Sequence, residues 1–288
     1  MDGILIINKP QGSTSHDIVY KVKKMLSEKV GHTGTLDPNA TGVLPLLIGK
    51  GTLCSKYLIN HDKIYEVKLK LGIKTDTADI EGKAIEEKEV PKNSLDEENV
   101  KNILKTFLGK QEQKPPMYSA IKVKGKKLYE YARKGQVVEI EPRKIEIYEI
   151  NLNSINVAKK EINFTVHCSK GTYIRSLCED IAEKLETVGF MKNLNRTKVG
   201  NFSINQSTTL EQFEKDLPTG HFGLITIEEF FSDKNDIKLN ANKMKHFING
   251  VKITFKLPDG IYKIYDEFGT FIGIGIVEKG LLKRDIVI

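Results

Sequence analysis

Cysteine is scarce in this chain of 288 residues, with only Cys54, Cys168 and Cys178 present. An odd, sparse set of this kind excludes a disulfide framework. No Cys-x-x-Cys or His-x-x-x-His pair occurs, so the ligand spacing of a structural zinc site is missing and no metal is expected. Long apolar runs are absent as well. The first one, Ile4 to Ile7, is short and follows the acidic Asp2, which is unlike a signal peptide. Nothing approaches the roughly 20 apolar residues of a bilayer span. Repeats and low-complexity tracts are also missing. These absences lead to the expectation of a soluble, cytoplasmic protein with no membrane partner, and nothing in the sequence demands more than a monomer.

What is present is a globular composition, 39% hydrophobic and 29% charged, with a net charge of +7. The positive excess is concentrated. Residues 114–145 hold Lys114, Lys122, Lys124, Lys126, Lys127, Arg133, Lys134, Arg143 and Lys144, opposed only by Glu130, Glu139 and Glu141. Tyr118, Tyr129 and Tyr131 are interleaved among them. Lysines and arginines follow a phosphate backbone while aromatic rings stack on unpaired bases, which suggests a polyanion partner. A solvated surface hairpin accounts for the same charges equally well.

Periodicity gives a mixed α+β organisation without regular βαβ alternation. Residues 3–8 read as a strand, followed by a helix capped by Thr14 or Ser15 and faced by Ile18, Val19, Val22, Met25 and Leu26. Strict alternation over residues 64–71 puts Tyr65, Val67, Leu69 and Leu71 on one strand face. Ser94 to Glu97 has the pattern of a capping box before a helix faced by Val100, Ile103, Leu104, Phe107 and Leu108. A strand over residues 162–167 precedes a helix faced by Ile174, Leu177, Ile181 and Leu185. The polar stretch 231–236 reads as a linker between a domain of residues 1–230 and a β-rich tail of residues 236–288.

Residues 31–45, Gly-His-Thr-Gly-Thr-Leu-Asp-Pro-Asn-Ala-Thr-Gly-Val-Leu-Pro, read as a loop with an acid, an imidazole and three hydroxyls close together. Asp37 before Pro38 also fits an ordinary turn, and His32 fits a hydrogen-bonded loop residue. No Gly-Lys-Ser/Thr closes the loop, so it is not a Walker A phosphate cradle.

This loop resembles the catalytic motif of the TruB family of tRNA pseudouridine synthases. Four more segments agree with the family in order: Lys9 to Ser15; Tyr65 followed by Leu71-Gly72 and Thr75 to Asp79; Pro115 to Ala120; and Cys168 to Arg175. The resemblance covers residues 3 to about 212. It implies a mainly antiparallel central sheet flanked by helices, and isomerisation of uridine 55 in the tRNA T-loop by base flipping, without cofactor. Asp37 corresponds to the catalytic aspartate, Arg175 to its arginine partner, and Tyr65 to the tyrosine stacked on the target base. His32 matches the histidine that enters the T-loop. Tyr173 and Leu194 resemble pocket-lining residues, whereas Lys9 and Pro10 resemble a structural support of the loop. The resemblance makes residues 114–145 an RNA-gripping insertion in which Lys124, Lys126 and Lys127 meet phosphates. The family often has two arginines before the threonine where this chain has Asn195-Arg196-Thr197, leaving Arg196 as the charged contact. The tail resembles a PUA domain, which implies contact with the acceptor arm. Two other readings compete: a non-catalytic tRNA-binding or folding protein using the same basic face, and an isomerase working with a guide-RNA particle.

Overall fold

The computed structural model describes every residue except 120 and 137, so Ala120 of the Pro115–Ala120 motif lies outside the described residues. Ten strands form the central sheet. Along its main path the order is Ile225–Thr226, Gly3–Lys9, Thr41–Ile48, Gly189–Val199, Lys63–Leu71, Glu161–Cys168, Arg143–Asn156, Gly109–Gln113. Every pairing in it is antiparallel except one. Thr41 and Gly42 run parallel to Asn195 and Arg196, and this seam divides the sheet into two halves.

The halves differ in burial because their sequences differ in pattern. In Gly3–Lys9 both faces are apolar: Ile4 and Ile6 enter one core with Val43 and Leu47, while Leu5 and Ile7 enter another with Leu44, Leu46 and Ile48. In Lys63–Leu71 the alternation buries Tyr65, Val67, Leu69 and Leu71 against the Ile174–Lys184 helix and leaves the other face polar. One face buried and one wet is the ordinary condition of an antiparallel sheet. The Ser15–Leu26 helix starts at Thr14, whose hydroxyl accepts from the Asp17 amide in a reciprocal capping box.

Several expectations need correction. The loop is shorter than residues 31–45, since Val30–His32 and Thr41–Ile48 are strands and only residues 33–40 lie between them. Ser94 does not cap the following helix. Its hydroxyl donates to the Leu185 carbonyl at 2.7 Å, and Asp96 caps Glu97–Lys105 by accepting from the Glu98 and Asn99 amides. Leu108 lies beyond that helix and is 47% exposed.

The tail is a five-stranded sheet, ordered Asp236–Lys238, Gly260–Tyr265, Phe271–Glu278, Leu281–Val287, Ile253–Thr254, with the Ala241–Ile248 helix against it. The stretch read as a linker is anchored by Phe231, which is 3% exposed. Phe231 packs with Ile4, Val43 and Phe202 of the larger unit and with Ile274 and Ile286 of the tail. Asp285 pairs with Lys56 and accepts from the Tyr57 hydroxyl, and Tyr265 donates to Glu228 at 2.7 Å. The tail is therefore seated on the larger unit through a shared apolar core.

In the basic stretch, Lys122–Val123 and Lys126–Lys127 form a hairpin closed by Lys124 and Gly125, both with positive φ, as a two-residue primed turn requires. The short Leu128–Ala132 helix follows, with Leu128 fully buried. The Tyr129 ring lies between Lys127 at 5.4 Å and Arg133 at 5.3 Å.

Candidate active site

The 33–40 loop is fixed by charged donors from both sides of the sheet seam. Lys9, fully buried, directs its ammonium to the carbonyls of Pro10 (2.9 Å), Ser13 (2.6 Å) and Pro38 (2.9 Å). Burial lowers its pKa to about 8, with Asp37 opposing the shift. The Ser15 hydroxyl accepts from the Leu36 amide at 2.9 Å. On the other side, Arg196 donates through Nε to the Val43 carbonyl (2.9 Å) and through Nη2 to the Gly34 carbonyl (2.8 Å). A close approach of backbones at the seam makes this possible. A Cβ on Gly42, whose φ is +107°, would lie 2.2 Å from the Arg196 carbonyl oxygen.

Asp37 emerges from this clamped loop and meets Arg175 in the first turn of the Ile174–Lys184 helix. The guanidinium Nε lies 3.2 Å from Asp37 Oδ2, and Nη2 lies 3.4 Å from Oδ1, a side-on pairing of planar groups. Arg175 is itself over-determined: Nη1 lies 3.5 Å from Asp79 Oδ2 and donates to the Thr77 carbonyl at 3.2 Å, while Nη2 donates to the Tyr118 carbonyl at 2.9 Å. Asp79 is held by the Thr77 hydroxyl (2.7 Å) and the Glu81 amide (3.0 Å). The arginine side chain is 9% exposed and that of Asp37 is 35% exposed, so the cation is interior and the carboxylate opens to solvent. Burial pushes the Asp37 carboxyl above its ordinary pKa, Arg175 opposes this, Asp79 adds to it and Lys9 opposes it again. A shallow concavity lies over the carboxylate, lined by Asp37, Asn39, Asp79, Ile80, Met191 and Leu194 among others.

Tyr65 is 7% exposed and shares a core with Leu36, Ala40 and Leu194. Burial raises its phenol pKa to about 12 against the pull of Arg196, so the hydroxyl keeps its proton near neutral pH. A carboxylate held beside a buried cation, with an apolar wall and a protonated phenol behind it, can serve as a nucleophile or stabilise developing positive charge.

Residues 22–174 match the model of the TruB family pseudouridylate synthase N-terminal domain. The chain belongs to the TruB family of pseudouridine synthases. Residues 175–219 match the tRNA pseudouridylate synthase B C-terminal domain, and residues 236–285 match the pseudouridine synthase II TruB C-terminal model. The protein named tRNA pseudouridine synthase B from Caldanaerobacter subterraneus subsp. tengcongensis is 43% identical over 281 residues, covering 96% of both chains. The one from Aquifex aeolicus is 40% identical over 285 residues, covering 98% of both. A chain in the structure of an H/ACA RNP bound to a substrate RNA containing 2'-deoxyuridine superposes with a TM-score of 0.69 at 22% identity, over 99% of this chain and 83% of its own. At that identity it shows the shared fold.

In this TruB-family protein the residues singled out from sequence fall into four places. Asp37 and Leu194 line the concavity, Arg175 pairs with Asp37, and Tyr65 shares the core beneath with Leu194. Tyr173 is half-buried and begins the Arg175 helix, where Gln113 clamps it by accepting from its amide (2.8 Å) and donating to its carbonyl (3.0 Å). His32 is half-buried in the Val30–His32 strand, with its Nδ1 unpartnered among the described residues. Burial, then Arg196 and His16, lower its pKa and favour the neutral ring. Lys124 and Lys126 project into solvent on the hairpin.

Arg196 is a correction. Read as a charged RNA contact, it is 1% exposed and spends its donors on loop carbonyls. It follows the buried Leu194 by two residues and pairs with Tyr65, so the strand's own alternation turns it inward, and the bulge lies after it, between Arg196 and Lys198. Asp79 and Gln113 were missed. Each is a polar residue at an inward position, Gln113 on an edge strand and Asp79 in a loop tied to Met191 by a parallel bridge.

Proposed function

We propose that this protein converts uridine 55 in the T-loop of tRNA to pseudouridine. The observation that carries the reading is the Asp37 carboxylate, paired with the interior Arg175 at the base of a concavity beside the buried Tyr65. In the reaction the N1–C1' bond of uridine breaks, the uracil turns, a C5–C1' bond forms, the C5 hydrogen leaves as a proton to solvent, and N1 takes up a proton, so that the product is an isomer of the substrate. Redox equivalents are not consumed. The target base is flipped into the concavity at a cost of a few kcal/mol, which tRNA contacts elsewhere offset. His32 contacts the displaced bases, Tyr173 and Leu194 line the base pocket, and Lys124, Lys126 and Lys127 grip phosphates from the hairpin. The seated tail reaches the acceptor arm. The enzyme acts as a cytoplasmic monomer. No helix among the described residues is long and apolar enough to cross a membrane.

The test is tritium release from a T-stem-loop RNA labelled at C5 of its uridines, without added cofactor. Wild type is expected to release one equivalent, mapped to the T-loop position, and Asp37→Asn is expected to release none while keeping most of its RNA affinity. Release from Asp37→Asn at the wild-type rate would remove the carboxylate from the chemistry. Absence of release by a folded wild type that binds the RNA would point to a binding protein instead.

A further inference from the structure

The sheet face opposite Tyr65 is polar. Alternation brings Glu66 and Lys68, Asn163 and Thr165, and Asn193 and Asn195 to it. Their side chains form a cross-strand lattice: Asn195 donates to Glu66 (3.1 Å) and accepts from Thr41 (3.2 Å), Asn163 donates to Ser154 (2.8 Å), and Asn153 donates to Thr165 (2.9 Å). A trough runs along this face, lined by Asn39, Thr41, Glu66, Lys68, Asn153 and Asn163 among others. It is continuous with the catalytic concavity, because Asn39, Asn193 and Leu194 line both.

Its far rim is basic. Glu161, 4% exposed, has Lys68, Lys159 and Lys192 around it, with Lys192 in contact at 2.5 Å. Lys70 donates to the Lys159 carbonyl at 2.5 Å, and Lys160 follows in the same turn. Lys70 and Lys160 line a neighbouring hollow with Glu87 and Glu89, and Glu66 keeps its charge beside Asn195, so the positive excess facing the trough rests on Lys68, Lys159 and Lys192 around Glu161. The rim stands at the Glu161 end of the strands, whereas the basic hairpin lies beyond their Cys168 end.

We propose that this trough and its lysine rim are a second RNA-binding surface, which takes the sugar–phosphate backbone of nucleotides next to the target. The inference rests on the RNA reading given above. A protein partner fits poorly: the trough has no aromatic anchor, and lysine is depleted in protein interfaces. RNA fits on both counts, since amides and hydroxyls meet ribose hydroxyls and base edges and ammonium groups meet phosphates. The two basic regions then hold the same RNA at opposite ends of the strands, with the reacting nucleotide between them.

The experiment measures the Kd of the full-length protein for a full-length tRNA transcript from 50 to 200 mM KCl. In Lys68→Gln/Lys159→Gln/Lys160→Gln the log–log salt slope should fall by about two units, with Kd at 100 mM salt rising about ten-fold or more. Glu161→Gln keeps the side-chain shape, removes the opposing charge, and should tighten binding several-fold. A triple variant with the wild-type slope overturns the proposal. If the triple variant does not fold, Glu161→Gln decides alone, and an unchanged Kd overturns the proposal. Tritium release by the wild type tests the reaction separately, so failure of that reading is distinguishable from failure of this surface.

Discussion

Replacing Arg175 with lysine keeps the charge and removes the geometry, and the structure sets the size of the effect. The guanidinium serves both oxygens of Asp37, one of Asp79, and the carbonyls of Thr77 and Tyr118. A lysine presents three donors from one tetrahedral nitrogen, so it can reach Asp37 or the Asp79–Thr77 side but cannot bridge them. At least two charge-assisted hydrogen bonds are lost, each worth about 1.5–3 kcal/mol. Asp37 is one-third exposed, so water recovers part of this. A net loss of about 2–4 kcal/mol in holding the carboxylate corresponds to roughly a 30- to 1,000-fold slower step. Single-turnover tritium release with enzyme in excess is the assay, because it isolates chemistry from product release. The pH profile supplies an independent sign. Under the proposed chemistry Asp37 acts as a carboxylate, so activity should fall as pH drops through its pKa. Arg175 lowers that pKa against burial and Asp79, so Arg175→Met should move the acid limb to higher pH and Arg175→Lys should move it less. An Arg175→Lys enzyme within three-fold of wild type, with the same acid limb, would refute the idea that the fork geometry matters.

Other substitutions probe the supports of the same loop. Gly42→Ala should cost at least about 3 kcal/mol, since its Cβ overlaps the Arg196 carbonyl at a positive φ, and thermal melting measures it. Lys9→Met should destabilise by about 3–5 kcal/mol by leaving three carbonyls without their donor, read by urea unfolding; a melt equal to wild type would show that the carbonyls find water instead. With the Tyr65 phenol pushed up to about 12, the rate profile should show no basic limb from this group below about pH 10, and an ultraviolet titration should find its phenolate only above that. Lys124→Gln/Lys126→Gln/Lys127→Gln should lower the salt slope of tRNA binding by two units or more if the hairpin grips phosphates.

Much of this arrangement was legible in the one-dimensional pattern. The strict alternation around Tyr65 placed it inward, and the apolar spacing after Ile174 placed Arg175 in the first turn of a packed helix. What escaped was set by long-range pairing. Arg196 stands two residues after the inward Leu194 and opposite Tyr65, so it faces inward, and the carbonyls that take its donors arrive through the pairing with the distant Thr41 strand. Asp79 belongs to a loop with no periodicity, and its partner is fixed by a helix nearly a hundred residues later. Phe231 looked like one apolar residue in a polar stretch. Its burial depends on Ile274 and Ile286, which arrive from the tail. The cap of the Glu97 helix was misread by two residues because both Ser94 and Asp96 are good caps, and the contact of Ser94 with the distant Leu185 carbonyl decides between them.

The parallel seam in the sheet makes the Asp37–Arg175 pair a joint property of two bodies. Asp37 is carried by the side with the Thr41 strand, and Arg175, Asp79 and Tyr65 by the other. Across the seam run a short ladder at Thr41 and Gly42, the Arg196 donors, and the Thr41–Asn195 contact. The spacing of carboxylate and cation is therefore set by how the two sides pack, because Val199 and Phe202 of one side share a core with Ile4, Val43 and Leu47 of the other, and Leu36 and Ala40 share one with Tyr65 and Leu194. Repacking either core would be felt at the pair even where the substituted residue touches neither member of it.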